Sequence, residues 1–277
     1  MALDLSTARM TFNDDFNGFS ENTNSATSIN PGATPNGTWA TRFWWGDGMR
    51  VHGNGELQFY ADPTTGLVQS HPEANPFSVA NGELTIKATA SPDWAASWGK
   101  PYVSGLITTE GTFSQQYGYF EMRADLPTGK GIWPAFWLLN QAHTWPPELD
   151  VMEMIGSRPN ILEMTAHTGV NGWNDTTGMN HGVDVGDMTT GMHTYGVKVM
   201  PDTMTWYYDG QEMFTAATPS DLKQPLYMLA NVAVGGDWPG SPDGSTPWPA
   251  EMKIDYIRAY QFQGLPGYDG GSGAGAA

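Results

Sequence analysis

In Pro147-Glu148-Leu149-Asp150-Val151-Met152-Glu153-Met154-Ile155-Gly156, three carboxylates interrupt a run otherwise apolar enough to be a buried strand. Strands usually exclude such charge, so packing alone does not account for it. Side chains alternate between faces with a period of two, which puts Glu148 and Asp150 on one face and Leu149 and Val151 on the other. Glu153 breaks that parity. A bulge at Val151-Met152 would add one residue, re-aim everything downstream and return Glu153 to the face of the other two acids. The expectation is a bulged strand with three acids on one concave face; the alternative is an exposed acidic strand with no chemistry.

Paired carboxylates flanking a sugar are the equipment of glycoside hydrolysis, and a separation of roughly 5–5.5 Å goes with retention of configuration. At about 3.3 Å per residue the backbones of Glu148 and Glu153 lie about 13 Å apart, so their side chains must lean together. Asp150 sits between them, where its charge would raise the pKa of Glu153 and keep it protonated. Glu148-Leu149-Asp150-Val151-Met152-Glu153 resembles the catalytic signature of glycoside hydrolase family 16 in its bulged, laminarinase-like form. The resemblance implies Glu148 as nucleophile, Asp150 as the assisting acid and Glu153 as acid/base. Lichenases of that family resemble the segment less, because their strand lacks the extra residue.

Composition narrows the partners. A formal charge of -17 with only 12 Lys and Arg disfavours nucleic acid and anionic membranes, since phosphate binding needs clustered cations. Twelve tryptophans, 34 glycines and 20 prolines describe a turn-rich β protein with stacking surfaces, which suits a neutral polysaccharide. No twenty-residue apolar span exists to cross a membrane. There is no cysteine, hence no disulfide framework. Met1-Ala2-Leu3-Asp4-Leu5-Ser6 shows no secretory signal, while residues 263–277 shift to Gly and Ser and read as a flexible tail or linker. Such a tail resembles the approach to glycine-rich repeats of bacterial proteins exported through a C-terminal signal, so a secreted bacterial protein with no visible N-terminal signal is expected, its start either trimmed away or its export directed from the C-terminus.

Other segments extend the resemblance, which covers roughly residues 10–262. Asn54-Gly55-Glu56-Leu57-Gln58-Phe59-Tyr60 is similar to a family segment whose Asn and Glu reach the glycone side of the cleft, implying Asn54 and Glu56. Ile132-Trp133-Pro134-Ala135-Phe136-Trp137-Leu138 resembles the strand beside the catalytic one. Trp133 and Trp137 share parity and can present both rings to sugar, while Phe136 and Leu138 enter the core. His167 matches a family histidine near the acids. Asn231, polar within the apolar run 226–234, costs free energy if buried without a partner, and the family places it in the cleft. Trp238, after Gly235-Gly236, reads as a rim stacking ring. In relatives an aspartate joins main-chain oxygens near the first strand in a calcium site, which makes Asp255, with Asp15 and the carbonyl of Gly82, its candidate ligands here, since calcium prefers such hard oxygens; a plain surface Asp255 is the alternative.

Several features read as architecture. Asn81-Gly82 joins two alternating runs as a hairpin turn. Glu121 and Arg123 share a face and read as a surface pair. Trp94 and Trp98 fall in a loop that either covers the cleft or caps an edge. Many short alternating strands favour an all-β protein. The resemblance implies a jelly-roll β-sandwich of two curved antiparallel sheets, with residues 1–262 as one catalytic domain. The implied function is retaining endo-hydrolysis of β-1,3 and/or β-1,4 linkages in a glucan-type polysaccharide or bacterial exopolysaccharide, with no catalytic cofactor and a monomeric state. A non-hydrolytic carbohydrate-binding jelly roll and a transglycosylase are the alternatives.

Overall fold

A computed structural model describes residues 1–23, 35–50, 53–93 and 99–268. Sixteen strands are formed among them: β1 (Ala8–Asp14), β2 (Gln58–Tyr60), β3 (Phe77–Ala80), β4 (Glu83–Ala90), β5 (Tyr102–Ser104), β6 (Leu106–Thr108), β7 (Gly118–Asp125) and β8 (Ile132–Asn140) in the first half. The second half adds β9 (Glu148–Glu153), β10 (Ile161–His167), β11 (Asn180–Asp184), β12 (His193–Val199), β13 (Thr203–Tyr208), β14 (Gln211–Ala217), β15 (Leu226–Val234) and β16 (Ala250–Phe262). The only α-helix among the described residues is one short turn, Gly66–Ser70, and none is long and apolar enough to cross a membrane.

Two sheets face each other. One has ten strands in the order β14-β13-β12-β7-β16-β4-β5-β2, with β1 paired to β16 and β3 to β4; the other runs β11-β10-β9-β8-β15-β6. Pairing is antiparallel except between β2 and β5. This is the all-β architecture expected from the alternating runs, in the two-sheet jelly-roll form that the resemblance implied. Asn81 and Gly82 take positive φ of 57° and 76° and close the β3–β4 hairpin, a turn whose twist matches the strands it joins.

The core lies where the inner faces meet. Phe136 and Leu138 of β8, Leu149, Val151 and Met152 of β9 and Met164 of β10 pack against Leu84, Phe120, Met122, Val197, Trp206 and Ile254 from the larger sheet. Every second residue of β8 therefore points the other way, and the outward face of the six-stranded sheet becomes the floor of a groove. Glu121 departs from the surface pair expected of it. It is buried and accepts hydrogen bonds from the hydroxyls of Tyr119 (2.8 Å) and Tyr256 (2.9 Å), while Arg123 pairs with Asp255 instead. Alternation gave the shared face; it could not show that β7 lies mid-sheet under a layer of tyrosines contributed by β16 and β7 itself.

Candidate active site

The bulge forms at the expected place. Phe136 pairs with Met152 but Trp137 with Asp150, so Val151 has no opposite residue on β8. The same extra residue appears against β10, where Glu163 pairs with Glu153 and Thr165 with Asp150. Both Val151 and Met152 drop into the core, which turns the chain by one residue and sends Glu153 outward with Glu148 and Asp150. All three acids line a groove of about 720 Å³, together with Asn54, Glu56, Trp133, Trp137 and Asn231.

Each acid has its own neighbours. Glu148 Oε2 accepts from Trp145 Nε1 at 3.0 Å. Glu153 Oε1 accepts from Trp133 Nε1 at 2.9 Å. His167, at the end of β10, places Nε2 3.0 Å from Asp150 Oδ2 and 3.7 Å from Glu148 Oε1. Its other nitrogen, Nδ1, lies 2.6 Å from Asn174 Oδ1. Behind the strand, Trp206 of the opposite sheet donates from Nε1 through the core to the main-chain oxygen of Asp150 at 2.8 Å.

Burial and crowding set the charges. Burial and then the charge of Asp150 push the Glu148 carboxyl up to about 8, against the opposing pull of His167 and the Trp145 N–H. Burial, followed by Asp150 and Glu148, holds Glu153 well above the usual carboxylate range. Burial opposes the charge on His167, but the hydrogen bond and charge of Asp150, then Glu148 and Asn174, outweigh it and raise the imidazole to about 10. As an imidazolium it has an N–H on both nitrogens, which suits acceptors on either side. The cation lies beside Glu148 and Asp150, while the nearest donor to Glu153 is a neutral indole. Ionisation is resisted at both, but at Glu148 the imidazolium is the foremost opposing influence whereas at Glu153 it ranks behind the indole and against two carboxylates, and environments that treat two carboxyls differently in this way separate a nucleophile from an acid.

The groove wall on the β15 side is a polar chain. Trp137 Nε1 donates to Asn231 Oδ1 at 2.8 Å, Asn231 Nδ2 donates to the Tyr60 hydroxyl at 3.0 Å, and that hydroxyl donates to Glu56 Oε2 at 3.3 Å. Asn54 and Gln58 side-chain amides also bond Glu56. Burial raises the Glu56 carboxyl despite these three donors. Asn231 is therefore buried with partners on both ends of its amide, which meets the cost its position implied. Trp238 lies edge-on to Trp133, ring centroids 5.3 Å apart, and is 43% exposed at the rim.

Other participants differ in how far the sequence shows them. Glu56, Gln58 and Tyr60 share strand parity, a polar stripe that was readable; Trp145 and Asn174 sit in loops with no period to mark them. His143 stacks on Trp44 at 4.1 Å and reaches Glu110 Oε1 at 3.0 Å at another part of the groove wall. Trp94 and Trp98 lie outside the described residues. The three candidate calcium ligands are differently placed. A methyl on Gly82 would lie 3.8 Å from the main-chain oxygen of Asp15, so these two are neighbours. The Asp15 carboxylate, however, is held by Arg258 at 2.7 Å and that of Asp255 by Arg123. With both carboxylates neutralised by guanidinium groups, the side chains as arranged do not fit a divalent cation.

The chain as a whole is similar to known proteins. The sequence profile of Glycosyl hydrolases family 16 matches residues 67–258. The endo-1,3-1,4-beta-glycanase EglC of Rhizobium meliloti is 43% identical over 266 residues, which cover 95% of this chain and 54% of that protein, so the chain spans about half its length. A beta-glucanase of Rhodothermus marinus is 32% identical over 232 residues, 76% of each chain. The laminarinase catalytic domain from Thermotoga maritima superposes with a TM-score of 0.71 at 31% identity, covering 92% of this chain and 99% of that one. Profile, sequence and fold agree with one another, and the chain belongs to glycosyl hydrolase family 16.

Proposed function

We propose that this chain is a retaining endo-glycoside hydrolase that cuts internal β-1,3 and/or β-1,4 bonds of a glucan-type polysaccharide or bacterial exopolysaccharide. The observation that carries the reading is the bulged β9, with Glu148, Asp150 and Glu153 on one groove floor and a single imidazolium beside the first two. Glu148 attacks the anomeric carbon as Glu153 gives its proton to the departing glycosidic oxygen, breaking the C–O bond and leaving a glycosyl ester on Glu148. Glu153, now a carboxylate, takes a proton from water, whose oxygen attacks the same carbon and frees Glu148. Asp150, braced by His167, keeps negative potential next to Glu153 and helps it recover the proton. Trp133, Trp137 and Trp238 supply faces for pyranose C–H surfaces, and Asn54, Glu56 and Asn231 supply directional hydrogen bonds. The names of EglC and of the laminarinase supply the linkage range. Such a polymer does not cross membranes, which supports secretion of the protein.

Reducing-sugar release and product analysis across laminarin, mixed-linkage glucan, galactan and exopolysaccharides test the substrate class, and the anomer released first tests retention. Glu148→Gln and Glu153→Gln should each abolish turnover with folding intact. Near-normal activity in either variant would refute the roles given. A structural calcium would have to use main-chain oxygens near Asp15 and Gly82 and draw Asp255 away from Arg123; the present pairing argues against it. Chelation is expected to leave the melting temperature unchanged, and a drop of several degrees would reinstate the ion.

A further inference from the structure

The loop after β10 carries two features that the proposed hydrolase chemistry does not use. It is pinched shut by paired main-chain hydrogen bonds between Thr168 and Asp175 (3.1 and 2.8 Å). It is also tied down by Asp221, which accepts from the Thr168 hydroxyl at 2.7 Å and the Gly169 amide at 2.7 Å. Within this anchored loop Trp173 is 76% exposed. A single exposed ring would be ordinary, but Trp145 beside it is also 42% exposed, and adjoining exposed apolar groups at the edge of a groove mark binding surfaces. Its ring centroid lies 5.2 Å from that of Trp145, at 67°, and Trp145 both lines the groove and donates to Glu148. The next residue, Asn174, adopts φ 54° and turns its side-chain oxygen back to His167 Nδ1. The loop therefore presents a ring to solvent with one residue and holds the imidazole with the following one.

We propose that Trp173 and Trp145 form a stacking platform for a pyranose ring beyond the cleavage point, and that Asn174 is a positioning residue for His167. The proposal rests on the hydrolase reading and extends it. The platform lies on the β10 side of the groove, across β9 from the wall of Asn54, Glu56, Tyr60 and Asn231. The resemblance puts Asn54 and Glu56 on the glycone side, so the platform receives the leaving-group portion of the polymer, or an acceptor sugar. The charged groups facing the imidazole among the described residues are Asp150 and Glu148, both on β9. Asn174 is the neutral acceptor on the opposite edge, and it fixes the ring plane that lets Nε2 reach the two acids.

Two substrate types separate the roles. A long β-glucan oligosaccharide fills the leaving-group side, whereas an aryl β-glycoside with the same glycone has no sugar there. Trp173→Ala should lower kcat/KM for the oligosaccharide relative to the aryl glycoside by roughly threefold to tenfold, mainly through KM, the size of one lost aromatic contact. Equal losses on both substrates, or none, would overturn the platform. Asn174→Gly keeps the backbone conformation and removes the acceptor; it should lower kcat on both substrates and move the acid limb of the kcat/KM profile upward. Asn174→Asp, which restores an oxygen to Nδ1, should return the limb towards its original place. A limb unmoved in the glycine variant would overturn the positioning role. Failure of the underlying hydrolase reading looks different: the unaltered protein would cleave neither substrate.

Discussion

Replacing His167 with Gln isolates the role of charge in the groove, because glutamine can still donate a hydrogen bond but carries no proton to lose. The imidazole Nε2 lies 3.7 Å from Glu148 Oε1. At an effective dielectric of about 20, a unit charge at that distance contributes about 4.5 kcal/mol, or roughly three pKa units. The two side chains are 22% and 19% exposed, and solvent screening reduces the expected shift to about one to two units. Glu148, at about 8 with the imidazolium present, would therefore ionise later still. At neutral pH the share of enzyme with a charged nucleophile should fall roughly tenfold to hundredfold, and kcat/KM with it. The measurement is the pH dependence of kcat/KM on one soluble β-glucan oligosaccharide, with circular dichroism at each pH to confirm folding. Activity in the variant should recover partly as pH rises. An acid limb that stays where it was, with activity lost uniformly, would refute the electrostatic argument and leave His167 a geometric spacer.

Two further outcomes follow from the same environment. Glu153 has its carboxyl raised by burial and by Asp150 and Glu148, so below the ordinary carboxylate range both folded and unfolded chains bind its proton and it contributes nothing; above about 4.5 the unfolded chain releases the proton first and the folded state loses stability as pH rises. Glu153→Gln, besides losing turnover, should thus melt higher than the unaltered protein at pH 7 while matching it near pH 4, as read by calorimetry; a gain independent of pH would contradict the assignment. Tyr60→Phe removes the hydroxyl between Asn231 and Glu56 and leaves both short of a partner in a buried place, at a cost of about 1–3 kcal/mol in denaturant unfolding; an unchanged midpoint would mean that water replaces the hydroxyl.

The catalytic strand was legible in the sequence because charge in an apolar run and a parity break have few joint explanations. Val151 and Met152 both had to be core residues for Glu153 to join the other acids, and they are. The indoles of Trp133 and Trp137 followed from parity in the same way. The hydrogen bonds that differentiate the acids were not legible, since they join residues far apart in the chain: Trp145 reaches Glu148 out of a loop, Asn174 reaches His167, and Trp206 comes from the other sheet. Glu121 shows the converse limit. Periodicity correctly aligned it with Arg123, but whether that face meets water or a layer of tyrosine hydroxyls depends on which strands flank β7.

The bond from Trp206 to the Asp150 carbonyl links turnover to the distant layer. Carbonyls in a regular ladder lie within the plane of their own sheet, so an indole arriving from across the core can reach one only where the irregular residue twists the peptide out of that plane. The kink is thereby latched from behind, one position before the surplus residue. Directed changes on β13 that loosen this latch should be felt as weakened catalysis well before the protein melts, and efforts to harden the enzyme against heat would do well to leave that indole alone.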